Sequence, residues 1–506
     1  MDYSDQIQSR LFQIPREIRD MIYFFYFYEP NGLHHHLKGE NGVLRTSDGK
    51  PLDIRFTRAC KAVAKESQGL ALKLNTITFT PDDRTGARPL GSDALRFKRL
   101  LNALDATKWQ LLYNNADYLN PTQIQKLIEM YPRAGRDIVM TLHELKEAQG
   151  GHRDDWWARH EWYLREQKHV PDIQKALDMT LEFARTHQYF RMEDYGRGRP
   201  FIPHEDPIWS KQKWFRPDLP HAILQWRPNA SMIPTESELC ALKAYLNPTE
   251  TCCFDSGNDV TAFAWFFSAA SLAASFLESL QPTQRSFLRT IILDENEKAV
   301  YNPERHAEEL IKFCQENAQM RVERRVGLWD HIFPSRWGAD LRGDWWNCTY
   351  FFAIDLFVPI VEWITEAENL SALGMPSNSY TLTFKNCNDR HVWRLVRKML
   401  AFQEAFNRQF QQRKEFTVPD LPLEGEYRHF RFPYPCHVPK TLPHTMKDIL
   451  LGNSNIRLEH NLSTNSNTTK LLHRCEDWSL EEWVEEWCGL MFKHVKSFQG
   501  AWLASA

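Results

Sequence analysis

The chain has 506 residues, with 62 Lys plus Arg against 65 Asp plus Glu and a formal charge of −3. This near-balance offers no global attraction to nucleic acid or to an anionic membrane. A composition 25% charged and 42% hydrophobic, with 21 Gly and 27 Pro, excludes wholesale disorder and collagen-like or low-complexity architectures. The length suggests about three domains, and 18 Trp, 16 Tyr and 31 Phe supply apolar bulk for their cores. The ten cysteines form no Cys-x-x-Cys pair, and the first residues lack a basic-then-apolar secretory pattern. Reduced thiols in cytosol or nucleus are therefore expected.

In chain order, Pro15 opens a helical pattern in which Ile18, Met21, Ile22 and Phe25 recur at 3/4 spacing. An aromatic run, Phe24-Phe25-Tyr26-Phe27-Tyr28, stops at the turn signal Glu29-Pro30-Asn31-Gly32. A polar loop carrying His34-His35-His36 is expected next, then a short helix with Cys60, Val63, Ala64 and Ser67 on its small-residue face. Gly69 is placed to end or bend that helix. Asn75-Thr76-Ile77-Thr78-Phe79 alternates like a strand.

Residues 92–230 read as largely helical, closing in a Pro-rich connector at 200–234. Thr235-Glu236-Ser237-Glu238 is a capping box. Residues 260–277 carry no charge and approach bilayer-spanning length, but their serines and alanines and the lack of flanking Lys or Arg favour a buried helix. Residues 287–293 form an apolar strand ending at Asp294. Pro303 opens a helix with Ala307, Leu310, Ile311 and Cys314 on one face. Strands follow at 321–326 and 380–384, then a long helix over about 391–410. Strands spaced by helices imply a partly parallel sheet. A Pro-rich stretch at 419–443 and a polar run at 461–467 are connectors. Ser479-Leu480-Glu481-Glu482 caps a last helix whose Leu480, Trp483, Val484, Trp487 and Met491 make an apolar stripe.

The fold class expected is α+β and predominantly helical. Its parts are an N-terminal module (1–85), a helical region with its connector (86–230), a mixed α/β region (231–415), and a connector with a C-terminal docking helix (416–506).

The opening Leu11-Phe12-Gln13-Ile14-Pro15-Arg16-Glu17-Ile18-Arg19-Asp20-Met21-Ile22-Tyr23 resembles the start of the F-box-like domains of many uncharacterised fungal proteins. There a loop, a helix with a Cys-Arg-x-x-x-x-Glu theme and a strand follow. Ala59-Cys60-Lys61-Ala62-Val63-Ala64-Lys65-Glu66 and Asn75-Thr76-Ile77-Thr78-Phe79 occupy those places here. A second block, made of Arg289-Thr290-Ile291-Ile292-Leu293-Asp294-Glu295, Pro303-Glu304-Arg305-His306-Ala307 and Arg321-Val322-Glu323-Arg324-Arg325-Val326, is similar to the same group. The resemblance implies a small helical module of the kind that packs on the adaptor subunit of a cullin–RING ubiquitin ligase, with the client held downstream. Ile14 stands where the motif has Leu, and a polar loop of more than twenty residues separates the two helices.

No catalytic constellation is legible. The three adjacent histidines lack ordinary zinc spacing. Cys252-Cys253 lacks a redox spacer. Gly196-Arg197-Gly198-Arg199 is no phosphate loop. In residues 154–161, His160 shares a helix face with Trp156 rather than with an acid. Residues 427–434 interleave bases with aromatics over too short a span for a nucleic-acid platform. Asp294, Glu295 and Glu297, at the end of an apolar strand, carry the alternative reading of an enzyme using carboxylates. The leading expectation is an intracellular interaction protein that contacts a protein partner, a cullin–RING adaptor being the candidate, through Ile14, Pro15, Ile18, Met21 and Ile22. No nucleic acid, membrane, cofactor or metal is expected.

Overall fold

Alternating apolar and polar residues in short β-branched segments set the sheet, because successive strand side chains point to opposite faces. In the computed structural model the described residues are 9–38, 41–81, 118–131, 173–190, 228–235, 237–239, 265–333, 350–385, 390–413, 441–459, 468–491 and 494–496, with scattered positions between 94 and 142.

The elements in chain order begin with a helical turn at Arg10–Gln13, then α1 (Arg16–Phe27), β1 (Leu33–Lys38), β2 (Asn41–Thr46), α2 (Lys61–Glu66), α3 (Leu70–Leu74) and β3 (Thr76–Phe79). There follow α4 (Pro121–Met130), α5 (Ile173–Arg185), α6 (Ala269–Ser279) and β4 (Thr290–Glu295). A 3-10 segment, Pro303–Leu310, runs into α7 (Ile311–Glu316), and β5 is Arg321–Gly327. The remainder is β6 (Tyr350–Phe352), α8 (Ala353–Ala372), β7 (Tyr380–Lys385), α9 (Arg390–Arg413), α10 (Leu442–Leu451), β8 (Ile456–Leu458), α11 (Thr468–Arg474), α12 (Leu480–Met491) and β9 (His494–Lys496).

Residues 1–91, 231–233 and 265–506 form one compact unit; 92–230 and 234–264 form another. The first is α+β. Its seven-stranded sheet has the order β2-β1-β3-β4-β5-β7-β8, with β1 and β2 antiparallel and every other neighbouring pair parallel. The sheet thus crosses the boundary expected near residue 85, since β3 pairs directly with β4. β6 and β9 make a separate antiparallel pair.

The parallel strands stand in the order in which the chain makes them. Right-handed crossovers that step the same way put their packed helices on one face. The packing agrees. Ile77, Ile291, Val322 and Tyr380 lie in one register row, and Phe79, Leu293, Arg324, Leu382 and Ile456 in the next. All are buried, and their apolar members share one core with α6, α7, α8, α9, α10 and α12. The opposite face carries Thr76, Thr78, Thr290, Ile292, Asp294, Glu323 and Arg325, all half-buried, and the buried Thr383. Parallel sheets are usually covered on both faces. This less buried face is instead made compatible with water by its threonines and by paired charges such as Arg325 with Glu323, two residues apart on β5, at 2.9 Å.

The uncharged stretch proves to be core. Within its described part, α6 is buried almost all round, with Ser268 as N-cap accepting from the Ser271 N–H at 3.0 Å. Among the described residues no helix is long and apolar enough to cross a membrane. Both capping boxes form: Thr235 N–H donates to Glu238 at 2.7 Å, and Ser479 N–H to Glu482 at 2.7 Å. Trp483 and Trp487 of the last helix are buried against Phe402 of α9.

The second unit is helical where described. Asn120 and Gln123 exchange capping bonds at the start of α4, and Leu127 packs with Trp109, Leu112, Ile173, Leu177 and Leu181. Lys108 reaches Asp178 at 2.8 Å.

Two glycines are forced. Gly32 (φ +70°) brings the chain into β1, and a Cβ there would lie 2.6 Å from the Thr76 carbonyl oxygen. Gly69 (φ +72°) separates α2 from α3, and its Cβ would overlap the Phe287 ring at 2.2 Å. Gly49 (φ +79°) has nothing within 4 Å and serves as a control. Strain of about 1–2 kcal/mol applies to either site, and overlap adds about 1–3 kcal/mol at Gly69 alone. In urea unfolding, Gly69→Ala is expected to lose distinctly more stability than Gly49→Ala; equal losses would contradict the packing.

Candidate functional site

β4 extends through Asp294 and Glu295 rather than ending before them, so strand alternation sends the two carboxylates to opposite faces. Asp294 lies on the open face, where the Lys385 ammonium pairs with it. Lys385 stands beside Gly327 in register. Glu295 points into the core with no exposed surface.

Arg324 meets it there, on the adjacent strand. Glu295 Oε1 accepts from Arg324 Nε (2.9 Å) and Nη2 (2.6 Å), and Oε2 accepts from the Ala269 N–H (2.8 Å). Arg324 also donates to the Pro303 carbonyl (2.7 Å) and lies over the Trp363 ring at 4.4 Å. Burial, the largest single influence, raises the carboxyl pKa, but the Arg324 charge together with the hydrogen bonds from Arg324 and the Ala269 N–H holds Glu295 below the usual range. Removing one partner of so buried a pair leaves an uncompensated charge, which is why both stay matched.

Two histidines flank the pair. His306 Nε2–H donates to the Tyr301 carbonyl (2.8 Å), which makes Nδ1 the acceptor for the Ser268 and Ser271 hydroxyls at 2.8 and 3.0 Å. His331 Nδ1–H donates to the Glu297 carbonyl, and its ring stands edge-on to Trp363 at 5.3 Å. Burial, reinforced by the Arg324 charge, lowers both imidazoles to about 4, so they are neutral at pH 7. Burial also pushes the neighbouring Tyr380 phenol up to about 12. A serine hydroxyl on a neutral imidazole is the nucleophile–base pairing of acyl transfer. Here Ser268, Ser271 and His306 are sealed from solvent, and the second imidazole nitrogen serves a backbone carbonyl. The arrangement satisfies buried polar atoms and fixes how α6 and the 3-10 segment meet the sheet.

The histidine run is a strand, not a polar loop. Leu33–Lys38 pairs with Asn41–Thr46 as a hairpin and with β3. His35 is buried between Phe79 and Phe276, its pKa lowered to about 4 by that burial. His34 and His36 point to the other face. Among the described residues no group of His, Cys, Asp or Glu could hold a metal ion. Residues 154–161, 196–199, 427–434 and the pair Cys252-Cys253 lie outside the described residues.

The N-terminal helix is the other candidate. The Glu66 carboxylate, at the end of α2, accepts from Arg19 Nε (3.0 Å) and Nη2 (2.8 Å) and from the Tyr23 hydroxyl (2.7 Å). Arg19 also donates to the Ile14 carbonyl at 2.6 Å and lies 5.3 Å from the Phe12 ring centre. The Arg19 fork holds Glu66 below the usual carboxylate range, while burial pushes Tyr23 up to about 12. Tyr23 and Phe27 are buried with Val63. Asn75 ties down the helix end, donating to the Phe27 carbonyl (2.6 Å) and accepting from the Glu29 N–H (2.7 Å).

With that side engaged, the opposite side of α1 is open. Ile18 is 46% exposed, Met21 54%, Ile22 37% and Phe25 74%, and Phe24 and Tyr28 extend the patch as a stacked pair at 5.0 Å. The predicted contact residues Ile18, Met21 and Ile22 therefore share one exposed face. Pro15 is exposed at the helix N-cap, and Ile14 is half-buried beside Arg19. Phe24, Phe25 and Tyr28 were not among the predicted contacts, although Phe25 belongs to the same 3/4 series. Arg324 too had a signal: it alternates with Val322 and Val326, which places it inward.

No family model matches the chain, and no curated protein or solved structure matches it.

The buried imidazoles make stability depend on pH. Their folded pKa, about 4, lies below the unfolded value of 6.5. Their contribution is therefore complete above pH 6.5 and is lost as pH falls toward 4. Each buried histidine adds a slope of up to about 1.4 kcal/mol per pH unit in that window. Urea unfolding at pH 7.0, 6.0 and 5.0 is expected to show steady loss, with His306→Asn shallower than the parent; parallel curves would contradict neutral burial of His306.

Proposed function

We propose that this chain is a protein-interaction protein whose N-terminal helix docks a partner, and that the partner is the adaptor subunit of a cullin–RING ubiquitin ligase. One observation carries the docking reading: six large apolar side chains stand exposed on a helix whose other side is anchored by Glu66, Tyr23 and Phe27. Together they leave roughly 600 Å² of contiguous apolar surface, at the upper end of what a monomer tolerates without a use for it. An amphipathic helix laid into an apolar groove is a common recognition mode, read through i, i+3, i+4 and i+7 anchors. Ile18, Met21, Ile22 and Phe25 have that spacing. The adaptor assignment rests on the F-box-like motif in which these residues stand.

Arg19, Tyr23 and Glu66 belong to the two halves of that motif and bond to one another. They orient the helix, and the intervening Ile18, Met21 and Ile22 are left for contact. The region downstream of the motif is then the part that holds a client.

Affinity capture of the tagged chain from cells that express it tests this. Recovery of an adaptor and its cullin is expected for the parent, falling at least tenfold in Phe25→Asp and Ile18→Asp, since burying one such side chain is worth about 1.5–3 kcal/mol. Circular dichroism checks that both variants fold. No adaptor above background would overturn the ligase assignment, and undiminished capture by both variants would overturn docking through α1.

A further inference from the structure

The geometry points to a second occupant of the same helix face: another copy of this chain, paired antiparallel through α1 about a two-fold axis near Ile22. The inference rests on the reading of that face as a docking surface. Three features of the helix carry it.

The first is size order. The exposed face is aliphatic toward its start (Ile18, Met21, Ile22) and aromatic toward its end (Phe24, Phe25, Tyr28). Antiparallel pairing sets the slimmer half of one helix against the bulkier half of the other. Ile18 then opposes Phe25 of the second copy, and Ile22 lies beside its own equivalent. Large against small across facing positions is how close-packed layers fill space. Parallel pairing would stack aromatics on aromatics at one end and leave a gap at the other.

The second is the placement of polar atoms. At 100° per residue, Glu17 and Tyr28 project to the same side of α1, eleven positions apart and at opposite ends of the face. A two-fold axis perpendicular to both helices preserves that side and exchanges the ends. It therefore brings the Glu17 carboxylate of each copy to the Tyr28 hydroxyl of the other, donor to acceptor, twice. Arg16 and Asp20, the nearest other charges on the helix, are paired with each other at 2.7 Å and lie toward the anchored side, where Arg16 also reaches Glu66 at 3.2 Å. The face thus brings no unmatched charge into the contact.

The third is area. Two such patches bury at most about 1,200 Å² in total, at the lower edge of specific interfaces. An interface of that size predicts a reversible dimer with a dissociation constant on the order of micromolar. A second copy and a heterologous partner then compete for the same side chains, so free chain protects its own apolar helix until a partner displaces the copy.

Sedimentation velocity over a wide concentration range, on the full chain, tests this. The parent is expected to move from monomer to dimer with rising concentration, and Phe25→Asp to stay monomeric. Glu17→Lys is expected to weaken the dimer about tenfold, and the double variant Glu17→Lys/Tyr28→Glu to restore it by placing opposite charges together again. Ile22→Cys, oxidised and run without reductant, is expected to cross-link into dimers that the parent, with its native cysteines, does not form. A parent that is monomeric throughout overturns the inference, as does a dimer indifferent to Phe25→Asp. In either case capture of a different protein through Phe25 stands or falls on its own experiment.

Discussion

The Glu66 carboxylate decides which way α1 faces. The helix is apolar on both sides: Tyr23 and Phe27 on one, Ile18, Met21, Ile22 and Phe25 on the other. Hydrophobic burial is non-directional, so it cannot choose between them. Hydrogen bonds can. Glu66 accepts a two-pronged Arg19 fork and the Tyr23 hydroxyl, which fixes the rotation of the helix as well as its position. Asn75 does the same for the helix end through the Phe27 carbonyl and the Glu29 N–H. The outer face depends on this inner one: the stripe is open because its opposite side is held.

A similar division runs through the sheet. Its parallel strands are added in one direction, so α6, α7, α8, α9, α10 and α12 share one core on a single face and the other face carries threonines and charges. Alternation along β4 then separates two adjacent carboxylates into different worlds. Asp294 keeps water and Lys385; Glu295 has Arg324 and the start of α6. Two neutral histidines complete the buried cluster, each bonded through one ring nitrogen to a backbone carbonyl. Glu295 and Arg324 are sealed in the core while the outer face of α1 is exposed, and the proposed docking rests on that difference.

Much of this was legible in the residues. The strands at 321–326 and 380–384 and the helices after Pro303 and Ser479 follow directly from periodicity and capping, because those signals are local. The helical stripe at Ile18, Met21 and Ile22 was equally plain. Its outward direction was not, since that depends on Glu66, more than forty residues away. The β1–β2 hairpin was hidden because three histidines in a row look polar, whereas His35 alone turns inward between Phe79 and Phe276. Likewise the pairing of Glu295 with Arg324 needs the register of two parallel strands, which no spacing along one chain reveals.

Hydrogen exchange of the α1 amides in Glu66→Ala, compared with the parent, tests the anchoring of this helix most directly. If the carboxylate holds α1, amides within residues 16–27 lose protection at least tenfold while those of β4 and β5 keep theirs. Parental protection along α1 in the variant would show that the helix is held by something other than Glu66, and the reason given for its open face would fail.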